Sequence, residues 1–340
     1  MEYRRLGRSD LSLSVVSYGN WLTHGDGVDN AAAVACVRKA LEAGITVFDT
    51  ADMYADGRAE ELLGSAIAGI RRESVIVCSK VGLPISTAPQ DRGLSRKRVI
   101  TSCYASLRRL RTGYLDLYQA HRFDGDTPLE ETITAFSDLV HAGDVRCVGV
   151  SEWTSAQLRE GQRLAWEAGI QLVSNQPQYS VLWRVPEAEV MPTSAELGIG
   201  QIAYSPLAQG VLTGKYPPGG VPPAGSRADQ KYAVGSIRRY LSGELRLRVE
   251  GLRPIAHEAG LSLAQLALAW VLHNRHVTSA VIGASRPEQI SENAEAAEAR
   301  LDEDIMTSID DVLGDIIERD PAKAGRPYDV MARWRAPETA

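Results

Sequence analysis

The chain has no long hydrophobic run. No stretch approaches the ~20 consecutive apolar residues that a membrane helix needs. The opening segment, MEYRRLGRSD, lacks the apolar core of a secretory signal. Neither a membrane partner nor export is expected from this, and the localisation read from it is cytoplasmic. Cysteine is scarce, with Cys36, Cys78, Cys103 and Cys147 the only four in 340 residues. They are scattered, and match neither a disulfide framework nor a paired metal site. They read as reduced, packed thiols. Nothing near Cys78 or Cys147 in sequence would activate either as a nucleophile. Positive charge is not in excess either. Lys and Arg number 37 against 43 Asp and Glu, a net charge of -6, which argues against a nucleic-acid partner. There is no low-complexity tract and no sequence repeat, and no linker-like segment splits the chain into halves.

What is there is globular. Hydrophobic residues make up 44% and charged residues 24%, values typical of folded domains. A chain of this length buries a large core without staples. Short apolar runs alternate with amphipathic segments along most of it. Strands are expected at Val15–Tyr18, Ile45–Phe48, Val75–Ser79, Leu115–Ala120, Val145–Val150, Leu172–Ser174, Ile202–Tyr204 and Val277–Ile282. The intervening helices carry stop and start signals. Gly44 and Gly143 stand where helices should end, and Ser95 where one should begin. Thr127-Pro-Leu-Glu130 reads as a capping box with proline at the first helical position. A long Gly/Pro-rich loop is expected over Leu207–Ala228.

Eight strand–helix units in strict alternation demand parallel strands with right-handed crossovers. Eight is the number that closes a (β/α)8 barrel. The alternative is a doubly wound open sheet. Even spacing through the first six units, and the absence of a linker, favour the barrel. Tyr3–Leu6 and Leu11–Leu13 read as a hairpin placed to plug its bottom. The expected organisation is one barrel domain over 1–313 and a loosely packed tail over 314–340.

In such a barrel the active site lies at the C-terminal ends of the strands. Three consecutive strands there deliver Asp49 with Tyr54, then Lys80, then His121. Taken singly, each is most often a cap or a rim charge. Together they make a proton-transfer site. A phenol titrates near ~10, too high for an efficient acid at neutral pH. A neighbouring ammonium pulls it down, and an aspartate keeps that ammonium charged. A histidine can donate to a substrate oxygen. No good nucleophile and no metal cage is visible. A donor aimed at an oxygen then suits hydride transfer to a carbonyl, with the hydride supplied by a cofactor.

Gly44-Ile-Thr-Val-Phe-Asp49-Thr-Ala-Asp-Met-Tyr54 resembles the first signature of the aldo-keto reductase superfamily. Further matches are Leu110 to His121, Gly149-Val-Ser-Glu-Trp153, Tyr204 to Tyr216 and Ile282 to Asn293. The resemblance runs from Tyr3 to about Val312. It is nearest to the branch holding potassium-channel β subunits and related bacterial reductases. It implies an NADPH-dependent carbonyl reductase with a catalytic tetrad of Asp49, Tyr54, Lys80 and His121. Tyr54 would be the acid, Lys80 with Asp49 would tune it, and His121 would polarise the carbonyl.

The resemblance also implies the cofactor contacts. Asn20 and Trp21 follow the first barrel strand, and Asp49 would meet the nicotinamide ribose. Ser151 and Gln176 would hold the carboxamide, and Tyr204 would stack on the ring. Ser205, Pro206, Leu207, Gln209 and Gly210 would wrap the pyrophosphate with Lys215 and Arg227. Gly283, Ser285, Arg286, Gln289, Glu292 and Asn293 would hold the adenosine end. Channel β subunits have asparagine where this chain has His121, so the histidine suggests turnover rather than an accessory role. The competing readings are a cofactor-sensing subunit that docks to a channel, and a pathway-specific reductase of a sugar-nucleotide or natural-product intermediate. The expected partner is a small carbonyl substrate, with self-association left open.

Other features are read as structural or as parts of the pocket. Ser285-Arg286-Pro287-Glu288 reads as a capping box with Ser285 as N-cap. Gly198-Ile-Gly200-Gln-Ile-Ala203 has dinucleotide-loop spacing, but it enters a strand instead of leaving one. His273 and His276 sit three apart on an expected helix with no third ligand nearby. Trp21 and His24 are placed to line the substrate pocket. Its shape is expected to come from that first loop, from Val81–Asp91, from Tyr179–Glu187 and from the tail.

Overall fold

The computed structural model describes residues 1–25, 28–229 and 234–325. It opens with β1 (Tyr3–Arg5) and β2 (Ser12–Ser14), antiparallel, with Tyr3 opposite Ser14. The chain then alternates strand and helix. β3 (Val16–Gly19) leads to α1 (Asn30–Glu42), and β4 (Val47–Asp49) to α2 (Arg58–Ala66). β5 (Ile76–Val81) leads to α3 (Arg96–Leu110), and β6 (Leu115–Ala120) to α4 (Leu129–Ala142). β7 (Val145–Ser151) leads to α5 (Ser155–Glu167), and β8 (Leu172–Gln176) to α6 (Val190–Leu197). After β9 (Gly200–Tyr204) come a long loop, α7 (Val234–Ile237), α8 (Gly243–Glu250), α9 (Arg253–Glu258) and α10 (Leu263–His273). β10 (Val277–Ile282) is followed by α11 (Pro287–Glu295) and α12 (Glu303–Leu313). The strands from β3 to β10 are parallel, and β10 pairs back with β3 to close the barrel. The expected (β/α)8 fold with an N-terminal hairpin is the fold observed.

Local chemistry explains most boundaries. The Asp29 carboxylate accepts the Ala31 and Ala32 N–H groups at the start of α1. Gly44, at φ 78, turns the chain into β4. Ser95 accepts the Arg98 N–H at the start of α3. α5 and α10 open with capping boxes, Thr154 with Gln157 and Ser262 with Gln265. All six residues of β6 are buried, as expected of a strand covered on both faces.

The hairpin seals the N-terminal end of the barrel. Leu6, Leu11 and Leu13 pack on Val47, Cys78, Leu117, Val173 and Ile202 in a core of their own. This contact also explains the Gly198-Ile-Gly200 spacing. The Arg8 N–H donates to the Gly198 carbonyl at 2.9 Å. A Cβ on Gly200 would lie 2.7 Å from the Gly7 nitrogen, so the backbones could not approach as they do. The glycines serve the plug, at the end of the barrel opposite the site.

Three local expectations are corrected. Thr127 does not cap α4, which starts at Leu129, because its hydroxyl donates to the Asp124 carboxylate at 2.7 Å. Ser285 does not cap α11. Arg286 is the N-cap residue there, and the Ser285 N–H turns to the Gln289 side chain at 2.9 Å. His273 ends α10, so His276 is not on the same helix, and both are exposed. Of the tail expected over 314–340, the stretch 314–325 is docked, and residues 326–340 lie outside the described residues. Ile317 is buried, and Glu318 forms a bridge with Trp183. No single helix among the described residues is long and apolar enough to cross a membrane.

Candidate active site

Neighbouring strand ends supply the tetrad. Asp49 is the last residue of β4, Lys80 lies near the end of β5, and His121 directly follows β6. Lys80 is fully buried, and its Nζ donates to Asp49 Oδ1 at 2.5 Å and to the Thr50 carbonyl at 2.9 Å. Its third direction is Tyr54, whose hydroxyl lies 3.4 Å away. The Tyr54 ring meets His121 edge-on at 5.7 Å and Trp21 at 6.5 Å between centroids. Ala51, Met53 and Leu83 are buried around it.

The electrostatics assign protonation states. Burial pushes the Tyr54 phenol up, and the Asp49 charge adds to that. Lys80 and Arg122 pull it down without overcoming the burial. The phenol is therefore a protonated donor across neutral pH. The sequence correctly identifies the direction of Lys80's effect, but it contains nothing that weighs the desolvation. Lys80 is itself held up by Asp49 and Tyr54 against burial, so it stays an ammonium. Burial, Lys80 and Arg122 all push His121 well below the usual histidine range. It is a neutral imidazole, and its buried Nδ1 has no partner among the described residues.

Around this centre lie the expected cofactor residues. Gln176 Nε2 donates to Asp49 Oδ2 at 2.9 Å, and Ser151 Oγ donates to the Gln176 carbonyl at 2.8 Å. Asn20 turns inward and donates to the Ala59 carbonyl at 3.0 Å, with Oδ1 buried and without a partner among the described residues. After β9, Ser205, Ala208, Gln209 and Gly210 all have positive φ. Such alternation of backbone hand builds anion-binding concavities. Glycine suits position 210 because φ 96 is a backbone conformation that other residues rarely adopt. Gln209 bridges Ser205 Oγ at 2.7 Å and Arg227 Nη1 at 2.5 Å. Burial, Arg227 and Arg286 push the Lys215 ammonium down. Two cations of this loop, Lys215 and Arg227, and Arg286 from the start of α11 therefore lie close together, which suits phosphate groups. Gly283 lies at the same place, its Cβ position 3.9 Å from Arg227 Nη2. Asn293 is buried on α11, while Glu292 on the same helix and Arg286 at its N-cap are exposed.

Several residues with no role assigned from sequence also belong to the rim. Arg122 Nη1 donates to Ser151 Oγ at 3.1 Å, and its guanidinium lies 6.0 Å from the Tyr204 ring centroid. Glu152, at φ 59, accepts the Gln178 N–H at 2.5 Å, and burial pushes its carboxyl up against the pull of Arg122. Gln178 also holds Tyr240 and Arg239, each at 2.6 Å. The signal for Arg122 and Glu152 was positional, since each directly follows an expected site residue at a strand end. A groove of about 1260 Å³ runs beside the rim, with walls that include Leu83, Ile85, Phe123 and Pro321. Residues 82–85, residues 89–91 and, from the tail, Pro321, Ala322, Ala324 and Gly325 line this groove, and Tyr54, Lys80 and His121 do not. Tyr179–Glu187 does not line that groove. Its Tyr179, Val181 and Leu182 are core, and it anchors the tail through the Trp183 bridge. His24 is also core, 1% exposed and 3.2 Å from the Tyr18 hydroxyl, with its ring pushed down to about 4 by burial. The cysteines are free, and burial pushes Cys103 up to about 12 and Cys147 up to about 11, which keeps both thiols inert.

Residues 15–313 match the model of the aldo/keto reductase family. A rice protein described as a probable voltage-gated potassium channel subunit beta is 40% identical over 308 residues, covering 87% of this chain and 91% of that protein. An Arabidopsis thaliana protein of the same description is 39% identical over 312 residues, covering 88% and 92%. A fission-yeast protein, described as a putative subunit of that kind, is 38% identical over 321 residues, covering 92% and 93%.

Proposed function

Because the chain belongs to the aldo/keto reductase family, whose members are oxidoreductases, we propose that it reduces an aldehyde or ketone with NADPH. The observation that carries this reading is the buried Asp49–Lys80–Tyr54 chain beside a neutral His121. NADPH, when bound, supplies the hydride. The protein's own residues do the rest. Tyr54 donates the proton to the developing alkoxide. His121 offers a neutral N–H to the same oxygen, where a preformed donor counts most in a water-poor site. Lys80 keeps its charge next to the phenol, and Asp49 keeps Lys80 in place. The left-handed loop after β9, with Lys215, Arg227 and Arg286, would hold the phosphates. Ser151 and Gln176 would take the carboxamide, and Tyr204 the ring. The direct test is loss of reduced-nicotinamide absorbance with a panel of aldehydes and ketones. No turnover of any of them would refute the reading.

A second reading is supported by the descriptions of the three relatives: a subunit that docks to a channel and senses its cofactor. It shares the cofactor site and differs in predicting binding without turnover. The buried, neutral His121 next to Tyr54 favours turnover.

Two results follow from the charges. The first concerns pH. With His121 already neutral and the phenol pushed up, kcat for reduction stays level from about pH 7.5 to about 9.5. It falls only as the phenol ionises, above the ordinary tyrosine value of about 10. A limb titrating near the ordinary histidine value of about 6.5 that disappears in His121→Gln would show that the imidazole is not held neutral. The second concerns cofactor choice. Arg286 adds a charge and a planar fork of donors next to Lys215, so NADPH binds more tightly than NADH. In Arg286→Ala, loss of a charged contact of ~1.5–3 kcal/mol weakens NADPH by roughly ten- to a hundred-fold. NADH affinity stays nearly constant. Titration of both cofactors into both proteins checks this, and equal losses would move the 2′-phosphate away from Arg286.

A further inference from the structure

Asp52 and Arg98 form a buried ion pair that the proposed chemistry does not use. Arg98 Nη2 lies 2.7 Å from Asp52 Oδ2, and the side chains are 7% and 2% exposed. The pair is poorly satisfied. Asp52 Oδ1 and Arg98 Nε have no partner among the described residues. Burial and the nearby Glu60 push the Asp52 carboxyl up to about 7 against the pull of Arg98. A buried pair held by one contact seldom adds stability over apolar residues of similar size, so its use has to be geometric.

Its position says which geometry. The Asp52 N–H donates to the Lys80 carbonyl at 3.1 Å, so its backbone is fixed to the strand that carries the catalytic ammonium. Tyr54 follows two residues later. After it come Ala55 at φ 49, Asp56 at φ 55 and Gly57 at φ 90. Non-glycine residues in that region are strained and persist only where their surroundings over-determine them. On the far side of this turn, fully buried Glu60 accepts from Ser79 Oγ at 2.5 Å and from Arg109 Nε at 2.7 Å. Arg98 and Arg109 both belong to α3, about three turns apart. One helix therefore grips the strained segment on both sides of Tyr54.

We propose that Asp52 and Arg98 are positioning residues for the general acid: their ion pair ties the Ala51–Gly57 turn to α3 and keeps the Tyr54 hydroxyl against Lys80. This rests on the reading of Tyr54 as the acid. The contact it protects is 3.4 Å long, at the outer edge of a hydrogen bond, so a small displacement removes it. The charges that act most on Tyr54 directly are Lys80, Asp49 and Arg122, so the influence of Asp52 runs mainly through position.

The test uses the full chain with Asp52→Asn and Arg98→Lys. Three quantities are read: kcat, NADPH affinity, and the Cζ resonance of carbon-13-labelled Tyr54, identified by its loss in Tyr54→Phe. In Asp52→Asn the resonance shifts at neutral pH, the phenol titrates higher, and kcat falls about ten- to a hundred-fold, the scale of a misplaced group. NADPH affinity is unchanged. Arg98→Lys gives a smaller change in the same direction, and it carries the test alone if Asp52→Asn does not fold. A purely structural pair would lower the melting temperature and leave the Tyr54 resonance, its titration and kcat per folded molecule at their wild-type values. That outcome would overturn the proposal. If Tyr54 is not the acid, the resonance still responds to Asp52→Asn while Tyr54→Phe retains turnover, so the two failures are distinguishable.

Discussion

Tyr54→Phe abolishes measurable carbonyl reduction while NADPH still binds. The substitution removes one oxygen and leaves the ring. The packing of that ring against Trp21, His121 and the Ala51–Met53–Leu83 cluster is therefore kept. It does not strand a buried charge either, because Lys80 retains Asp49 Oδ1 and the Thr50 carbonyl. What disappears is the proton source. Losing a positioned general acid costs ~10²–10⁴-fold, since His121 is held neutral and cannot replace a full proton donor. Cofactor affinity should be unchanged within error, because the phosphate site around Lys215 and Arg227 is built by other segments. Single-turnover reduction and a parallel NADPH titration make the check. A variant that keeps most of kcat would remove Tyr54 from the acid role.

The barrel and its rim were legible because their signals are periodic. Strand ends can be read from apolar runs such as Leu115–Ala120, and the residues that follow them lie on one rim by topology alone. This is how Asp49, Lys80 and His121 could be brought together from three distant segments. Motif likeness added the loop after β9 and the segment after β10. The local misreadings share another cause. Thr127 stands one residue before proline and Ser285 two, both at plausible capping positions. Each instead engages a nearby polar side chain, that of Asp124 and of Gln289 respectively. A sequence shows candidate caps but not competing acceptors. Arg98 was illegible for a related reason. It lies inside an ordinary amphipathic helix, and only folding shows that its face meets the turn before Tyr54. The direction of the Tyr54 shift was hidden too, because a neighbouring lysine can be expected from strand order but the cost of complete burial cannot.

Lys80→Met combines a catalytic loss with a structural one, and the two can be separated. Lys80 lowers the phenol's pKa, so without it the phenol is pushed higher still by burial and Asp49. A weaker acid lowers kcat, and the alkaline limb of the pH profile moves up. Removing the ammonium also leaves Asp49 as a buried carboxylate whose remaining side-chain donor is Gln176 Nε2 at 2.9 Å. Breaking one side of a buried pair typically costs about 3–5 kcal/mol, so the melting temperature falls as well. Asp49→Asn behaves differently. It removes a charge that raises the phenol directly, which brings the phenol down. It also removes the partner that keeps Lys80 charged, which lets the phenol rise. These effects oppose each other, so its shift in the pH profile is smaller than that of Lys80→Met. Measuring kcat against pH together with thermal unfolding in both variants distinguishes the contributions. An unchanged pH profile in Lys80→Met, once corrected for unfolded protein, would show that Lys80 supports the fold without acting on Tyr54.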